Sequence, residues 1–460
     1  MQTNPTRRTF LAGGTAAGIV AVAGCTGDTS DTEEAADNDT ENGADDDTEN
    51  GADGQEDVEY EVWALDQGQD NIHLYEPGDG EDEFEESTTI DLNELEGVPE
   101  EGVVPHMIDF SSDYEYAAVA CTAGERVLVF RTDGCELVGN VETGAGSHMA
   151  IFSPDDEYIH VDVIGESKIV RVDADLEDEE FDIEDEIVVD GEIEGLTGEE
   201  GAPICHQFDH NGRSIHTLGP SYHDGGLVIV DHDEFTVDAA FSNEELPTNC
   251  GTMPHPEENK FYLTAGLPSD PEADEEPAAS GVGAYYVLDA DEDEIIVEEE
   301  STEGVDAHGF WFTPDGEELW VLNRETNDGV VVDPETDEVI EEIDAYGENQ
   351  SDDPAESDAP DIMWSSPDGE YMFVSLRGPA PLSGDPHAAT GVIPGFSVLD
   401  VESREIVATV EPDPIGEYDE EEIQAAQDEE EDAPSIPDFH GLGVRPVGDV
   451  DSEIPNSPPF

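Results

Sequence analysis

Histidine returns at one position of a repeated segment, and this repeat holds the residues whose types best suit chemistry. In its clearest copy, His308 is followed by an apolar, aromatic stretch and then by Pro314-Asp315-Gly316. Imidazole, thiolate and carboxylate groups are ligands that zinc and copper take in proteins. The predicted metal ligands are the residues that stand six before each proline position. In the third copy that residue is Ile204, and His206, two places further on, is taken instead. The predicted set is His106, His148, His206, Cys250, His308, Asp361 and His440.

A purely structural role is the competing hypothesis for these histidines. Repeat proteins keep a histidine at one position when its ring bonds a neighbouring repeat, and seven strands are too far apart for all their side chains to reach one ion. A site needs only three or four protein ligands. The pattern therefore predicts zinc or copper held by a subset of the ring, and leaves the structural alternative open.

Two arginines stand at matching places in adjacent copies. Arg324 and Arg377 each follow the repeat proline by ten residues, in a chain with only 12 lysines and arginines. A guanidinium pairs bidentately with a carboxylate or phosphate, so the pair is a candidate ligand-binding site, with loop ordering by ion pairs as the alternative. His223 and His387 lie in loops that we expect at the same mouth, where they are placed to cap an ion or ligand.

The spacing of strand-like runs predicts the element that positions these residues. After His308 come three short runs at residues 318–323, 329–333 and 338–343, separated by turn residues. Four strands in a unit of about 40 to 55 residues are typical of propeller blades. The last copy, beginning at His440, has one strand only, and runs near residues 59–66, 71–75 and 88–92 supply the other three. We therefore predict an all-β, seven-bladed β-propeller over residues 58–448, closed by joining the C-terminal inner strand to the N-terminal strands.

The repeat resembles that of the YVTN/WD40-like superfamily of seven-bladed propellers. That resemblance implies the fold and leaves the function open, because such propellers host many unrelated activities. The chain is also loosely similar to extracytoplasmic zinc-chaperone propellers, which bind metal through channel histidines and an acidic residue. This similarity implies that the ligands come from His106, His148, His206, His308, His440 and Asp361, whereas Cys250 and the shifted His206 depart from the pattern.

The charge of the chain indicates its environment. It carries 122 acidic and 12 basic residues, a formal net charge of -110. Such a surface repels phosphate backbones, so nucleic acid is not an expected partner. At molar salt the Debye length falls to about 3 Å and this repulsion is screened. The composition resembles that of proteins from halophilic archaea.

The N-terminus predicts export. Arg7 and Arg8 begin a twin-arginine motif, and the short apolar stretch after them ends in a lipobox-like sequence before Cys25. We interpret residues 1–25 as a lipoprotein signal peptide, 26–57 as a disordered acidic tether and 449–460 as a C-terminal tail. The expected location is the outer face of the cell membrane, anchored by a lipid on Cys25.

These patterns favour a surface lipoprotein that binds zinc or copper for storage or for delivery to a transporter or another surface protein. The alternatives are a lactonase-like or other metal-dependent enzyme, in which Arg324 and Arg377 would bind substrate, and an adhesion or scaffolding propeller. No nucleophile or base stands out, so we expect a binding protein rather than an enzyme. The sequence does not fix the disulfide pairing of its remaining cysteines, Cys121, Cys135, Cys205 and Cys250.

Overall fold

The computed structural model describes residues 59–447, apart from 79, 81–82, 199, 220–224, 271–272, 274–275, 352, 429 and 431–432. The predicted signal peptide, tether and tail lie outside the described residues, as do Arg7, Arg8, Cys25 and His223.

Seven four-stranded antiparallel sheets form the blades of a β-propeller, which confirms the predicted fold class. We number the blades from the N-terminus. Blade 1 comprises β1 (Tyr60–Asp66), β2 (Asn71–Pro77), β3 (Phe84–Asp91) and β28 (Phe439–Pro446); blade 2, β4 (Pro105–Phe110), β5 (Tyr116–Cys121), β6 (Arg126–Arg131) and β7 (Glu136–Glu142); blade 3, β8 (Ser147–Phe152), β9 (Tyr158–Val163), β10 (Lys168–Asp175) and β11 (Glu180–Val188); blade 4, β12 (Ala202–Phe208), β13 (Arg213–Gly219), β14 (Leu227–Asp231) and β15 (Thr236–Phe241); blade 5, β16 (Thr252–Pro254), β17 (Lys260–Thr264), β18 (Ala284–Asp289) and β19 (Glu294–Ser301); blade 6, β20 (Ala307–Phe312), β21 (Leu319–Asn323), β22 (Asp328–Asp333) and β23 (Glu338–Ile343); blade 7, β24 (Pro360–Ser365), β25 (Tyr371–Leu376), β26 (Gly395–Asp400) and β27 (Ile406–Val410).

The ring closes in blade 1, where the two ends of the propeller meet. Strand β28 pairs with β1, so the sheet order is β28-β1-β2-β3. This closure pairs one edge of β28, so that the strand does not present two free edges as a template for aggregation. The predicted joining of the C-terminal inner strand to the N-terminal strands is confirmed.

Helices are short and lie in the connecting segments. The α-helices are α1 (Pro386–Ala389) and α2 (Glu420–Gln427), and the 3-10 turns span Leu92–Glu94, Ile164–Glu166, Pro354–Glu356 and Ile415–Glu417. Asp419 caps α2 in a capping box with Glu422, which explains how an acidic insertion forms one helix. Within the described residues, no helix combines the length and apolarity that crossing a bilayer would require.

A hydroxyl and an aspartate explain the turn after four of the seven inner strands. Thr313 donates its hydroxyl to Asp315 at 2.7 Å and accepts the backbone N–H of Glu318 at 3.1 Å. Gly316 completes this turn at a φ of 70°, which favours glycine. The same Ser/Thr-x-Asp arrangement recurs at Ser111, Ser153 and Ser366. The Pro-Asp-Gly signal in the sequence therefore marks the point where the chain leaves the channel.

Burial separates the inner strands from the outer ones. Strands β4, β20 and β28 are buried along their whole length, whereas the outer strands β19 and β23 alternate or face solvent. Inner strands are covered by the blades on either side, so both of their faces are removed from water. Trp311 of blade 6 stacks on Trp364 of blade 7, with ring centroids 4.2 Å apart. Packing between blades thus fixes the strands that carry the ring residues.

Candidate metal centre at the channel mouth

A β-bulge places the ring residue in six of the seven blades. The register of the inner strand shifts across His106, His148, Ile204, His308, Asp361 and His440. In blade 5, Cys250 instead precedes its short inner strand. A bulge leaves a residue outside the ladder and re-aims its side chain. The repeated position therefore lies where side chains can turn toward the mouth.

Glycines beside the ring residues let neighbouring inner strands approach closely. A Cβ on Gly309 would lie 2.6 Å from the carbonyl oxygen of Asp361, and one on Gly441 would lie 2.4 Å from that of His106. Real side chains do not tolerate such contacts. The His-Gly pairs in blades 6 and 1 are thus required to bring ring residues of adjacent blades together.

His308, Asp361 and His440 form the candidate ligand group at the mouth. His308 Nε2 lies 2.9 Å from Asp361 Oδ1, and His440 Nε2 lies 3.6 Å from Asp361 Oδ2. One ligand atom from each residue falls within 4.8 Å of the others. A tetrahedral ion with ligands at 2.0–2.1 Å holds them about 3.3 Å apart. The three side chains therefore fit one ion after small adjustments.

Hydrogen bonding fixes the tautomer of His440. Its Nδ1 lies 3.0 Å from the carbonyl oxygen of His106, which can only accept, so Nδ1 donates. The lone pair of the neutral ring is then on Nε2, which faces the Asp361 carboxylate. Burial lowers the pKa of His440 well below its usual range, so a proton does not fill this position at neutral pH. A lone pair facing a carboxylate in a buried site is an arrangement that a metal cation stabilises.

His308 also has unused nitrogens. Although Nε2 is close to Asp361, neither ring nitrogen has an aligned hydrogen-bond partner among the described residues. The residue is only 4% exposed. Because an unsatisfied buried polar group costs roughly 1–3 kcal/mol, this histidine is a strong candidate for binding a ligand.

His106 and His148 lie beside this group rather than within it. The two Nε2 atoms are 2.9 Å apart, and His106 stacks on His440 with centroids separated by 3.7 Å. His106 Nδ1 faces Gln67 Oε1 at 3.4 Å. Burial lowers the pKa of both histidines, which are therefore neutral at neutral pH. They position His440 and join the mouth to the channel below.

Two arginines and three carboxylates surround the candidate group. Arg324 pairs with Asp306 at 2.9 Å, and Arg377 pairs with Asp438 and with Asp361 at 2.8 and 2.7 Å. Burial alone would raise the pKa of Asp361, but His440, His308 and the two arginines outweigh it and hold that pKa well below its usual range.

The two guanidiniums carry two positive charges against the three carboxylates of Asp306, Asp361 and Asp438, which leaves one excess negative charge. A further buried carboxyl, Asp66, stays outside this balance, because burial raises its pKa well above the usual range. A buried, uncompensated charge is expensive. The site therefore favours a cation.

The predicted ligand-binding residues are turned toward protein groups. Arg324 and Arg377 are almost fully buried, and Arg377 also donates to Ser383 at 3.1 Å. A Cβ on Gly384 would lie 3.3 Å from an Arg324 nitrogen, so this loop passes over the arginines. His387 lies 3.1 Å from Ser269 Oγ, between two other loops.

Two members of the predicted ligand set are placed differently from the others. His206 lies between blades 3 and 4, where Asp162 accepts from His206 Nδ1 at 2.6 Å and from His216 Nδ1 at 2.7 Å. His206 therefore belongs to a second group of possible ligands, with Asp162 and His216, rather than to the three residues at the mouth. Cys250 forms a disulfide with Cys205, so it offers no thiolate in this state.

Sequence reasoning missed two carboxylates that orient the arginines. Asp306 and Asp438 each stand two residues before a ring histidine, His308 and His440. An aspartate two residues before a ring histidine, in copies next to the two arginines, was the sequence signal that could have identified these two carboxylates.

Comparisons with known proteins leave the family of this chain open. No family model matches it, and no curated protein matches it. Among solved structures it is similar to hydrazine synthase of Kuenenia stuttgartiensis, at 13% sequence identity and a TM-score of 0.47, covering 75% of this chain and 88% of that one.

Proposed function

We propose that this chain is an exported metal-binding propeller that holds one zinc or copper ion at its channel mouth through His308, Asp361 and His440. The observation that carries the proposal is the orientation of His440. Its Nδ1 donates to a backbone carbonyl, so the lone pair on Nε2 faces the buried carboxylate of Asp361. His106 and His148 are positioning residues in this scheme, because they orient His440.

The donor set supports zinc or copper(II) over magnesium or calcium. Two imidazoles and one carboxylate are borderline ligands, whereas magnesium and calcium prefer oxygen donors throughout. Three protein ligands also leave one coordination position for water or for a group on a partner, as storage and delivery both require. The arginines that a lactonase-like enzyme would use for substrate are engaged by carboxylates, so we favour binding over catalysis.

Export and lipid anchoring belong to the same proposal and rest on the N-terminal motifs. An anchored propeller would meet metal outside the cell and pass it to a transporter or another surface protein. Replacing Arg7 and Arg8 by lysine should keep the chain in the cytoplasm, and Cys25→Ala should release it into the medium; cell fractionation reads both results.

Metal content of the full chain tests the binding proposal. The protein is purified in high salt without chelator or nickel affinity, and zinc and copper per chain are measured by elemental mass spectrometry. We expect about one ion per chain, lost in His308→Gln and in Asp361→Asn while near-UV circular dichroism stays native. An ion-free protein that takes up neither metal on titration would overturn the proposal.

A matched control separates this site from other buried histidines. His73 is buried in β2 of blade 1 and contacts Thr89 at 3.2 Å, so His73→Gln removes an imidazole without touching the mouth. It should keep the full metal content. Equal loss in this variant and in His308→Gln would assign the effect to the fold.

A further inference from the structure

A disulfide joins the inner strand of blade 4 to the segment before the inner strand of blade 5. Cys205 of blade 4 and Cys250 of blade 5 are 45 residues apart in sequence, with Cα atoms separated by 5.3 Å. Both are buried, at 3% and 8% exposure. Cys205 Sγ lies 3.9 Å from His148 Nδ1, and one ligand atom from each of the three residues falls within 4.8 Å of the others.

His148 links this disulfide to the mouth through opposite sides of one ring. Gln67 Oε1 is an acceptor, so the neutral His106 ring that faces it donates from Nδ1 and accepts at Nε2. His148 Nε2, 2.9 Å from that acceptor, therefore carries the proton. The other ring nitrogen, Nδ1, lies 3.9 Å from the sulfur of Cys205, and the ring also hydrogen-bonds the backbone of Ile204.

Sulfur-containing side chains form part of the lining of the space beside the disulfide, together with Asp109, Gln207, Thr252 and His308. A cavity of about 50 Å³ is bordered by the disulfide and by Met107, Met149, Met253 and Met363, four of the six methionines in the chain. Thioethers and thiolates are the ligands that favour copper(I). His308 also borders this cavity, so the methionines and the disulfide lie on the far side of a mouth residue.

We propose that reduction of the Cys205–Cys250 disulfide creates a second metal site, in which Cys205, Cys250 and His148 Nδ1 bind copper(I). A dithiol supplies two electrons and two protons: the sulfur–sulfur bond breaks, two thiols form, and the dithiol becomes a disulfide. Copper(I) then displaces the two thiol protons to solvent and is held by two thiolates and one imidazole. No ligand is shared with the ion at the mouth, so this inference stands apart from the proposed function.

The geometry allows the bond to open into a ligand pair. Two thiolates bound to one ion at about 2.3 Å lie roughly 3.8 Å apart, which side-chain rotation reaches from neighbouring strands. Gly251, directly after Cys250, already brings β16 against the His308 carbonyl, where a Cβ would lie at 2.3 Å. The backbones can therefore stay in place while the sulfur atoms separate.

Copper(I) titration of the full chain in both redox states tests the inference. The protein is reduced without oxygen by a phosphine, freed of reductant and titrated against a chromophoric copper(I) chelator, beside the untreated disulfide form. The reduced form should bind one copper(I) more per chain than the oxidised form and gain ultraviolet thiolate-to-copper absorption. Equal binding by the two forms would overturn the inference, and this comparison needs no mutation.

Variants assign the extra copper to named atoms. Cys205→Ser and Cys250→Ser should abolish the redox-dependent increment, and His148→Gln should weaken it at least tenfold. Cys135→Ser, which removes a thiol at a turn of blade 2 outside the disulfide, should retain it. Persistence of the increment in Cys205→Ser would contradict the proposed ligands.

One further variant keeps the two proposals distinguishable. His308→Gln should lose zinc or copper(II) at the mouth and keep the copper(I) increment of the reduced protein. Loss of that increment in His308→Gln would mean that copper(I) binds at the mouth and would overturn the second site, whatever the outcome for the first.

Discussion

Two buried histidine–aspartate clusters in this propeller differ in how their carboxylates are satisfied. Between blades 3 and 4, each oxygen of Asp162 receives one imidazole Nδ1, at 2.6 and 2.7 Å. At the mouth, the oxygens of Asp361 face two guanidiniums and two imidazoles, at distances from 2.7 to 3.6 Å. In the first cluster both carboxylate oxygens accept from an imidazole, and the nitrogen left without a hydrogen-bond partner in the described part of the chain, His206 Nε2, is on the side of its ring away from Asp162. At the mouth, the Nε2 lone pair of His440 faces the carboxylate itself.

The comparison shows that residue types alone do not identify a metal site. Both clusters offer two imidazoles and one carboxylate within 4.8 Å. In the interblade cluster, Ser214 also hydrogen-bonds His216 Nε2 and His160 Nδ1, so protein groups satisfy both nitrogens of His216, whereas His206 Nε2 and His160 Nε2 have no hydrogen-bond partner among the described residues. We interpret the interblade cluster as structural and the mouth cluster as functional.

The largest expected effect is the loss of stability on removing Asp162. This carboxylate is fully buried, and Asp162→Ala leaves two imidazoles without their acceptor. Breaking such a buried pair costs about 3–5 kcal/mol. Denaturant unfolding at fixed high salt should show this decrease in the free energy of unfolding.

Metal content provides the other half of that comparison. The folded fraction of Asp162→Ala should keep its full complement of ion, because Asp162 takes no part in the mouth. Loss of metal with little loss of stability would reverse the roles that we give to the two clusters.

A smaller effect is expected from stabilisation by the ion itself. A ligand at one hundred times its dissociation constant stabilises the folded state by about 2.7 kcal/mol. Zinc at that concentration should therefore raise the free energy of unfolding of the wild type by about 2.7 kcal/mol. It should not raise the free energy of unfolding of His308→Gln. The shift is read from unfolding curves with and without zinc.

The interblade variant His216→Gln is the matched control for that shift. His216 is as buried as His308 and also contacts a carboxylate. Its variant should be less stable than the wild type but gain the same increment from zinc. A missing increment would show that the two clusters are coupled.

The sequence predicted the ring of blades more fully than the contents of the channel. The turn signals and the lone strand at His440 were sufficient for the blade number and its closure, because both depend on local patterns. The contact of His206 with Asp162 joins blades 3 and 4, so the pattern of one repeat did not predict it. The Cys205–Cys250 pairing and the His106–His148 contact join different blades, so no spacing within one repeat reveals them.

Acid should weaken the interblade cluster through His160. Burial lowers the pKa of this histidine well below its usual range, and His206, His216, His232 and Arg171 lower it further. The folded protein therefore keeps His160 neutral, while the unfolded chain takes up a proton near pH 6.5. Its contribution to stability is present above that pH and falls by up to about 1.4 kcal/mol per pH unit below it.

His160→Gln isolates this term from the many carboxylates. The amide can still bond Ser214 but cannot titrate. The variant should be less stable at pH 7, and its deficit should shrink as the pH falls from 6.5 to 4.5. Asp162 does not obscure the comparison, because its partners His206 and His216 outweigh burial and lower its pKa, so that its contribution is lost only at more acidic pH. A constant deficit across this range would contradict the assignment.

The smallest effect is expected at His387, a residue that the sequence placed at the mouth. Its Nε2 lies 3.1 Å from Ser269 Oγ and 3.6 Å from Glu325, and about a third of its side chain is exposed, at 32%. A partly exposed pair of this kind contributes about 0–1 kcal/mol. His387→Ala should therefore change stability by no more than this and leave the zinc dissociation constant within twofold, as measured by competition with a chelator. A tenfold weaker affinity would show that the ring turns from these loops to the bound ion, and would make the mouth a four-residue site.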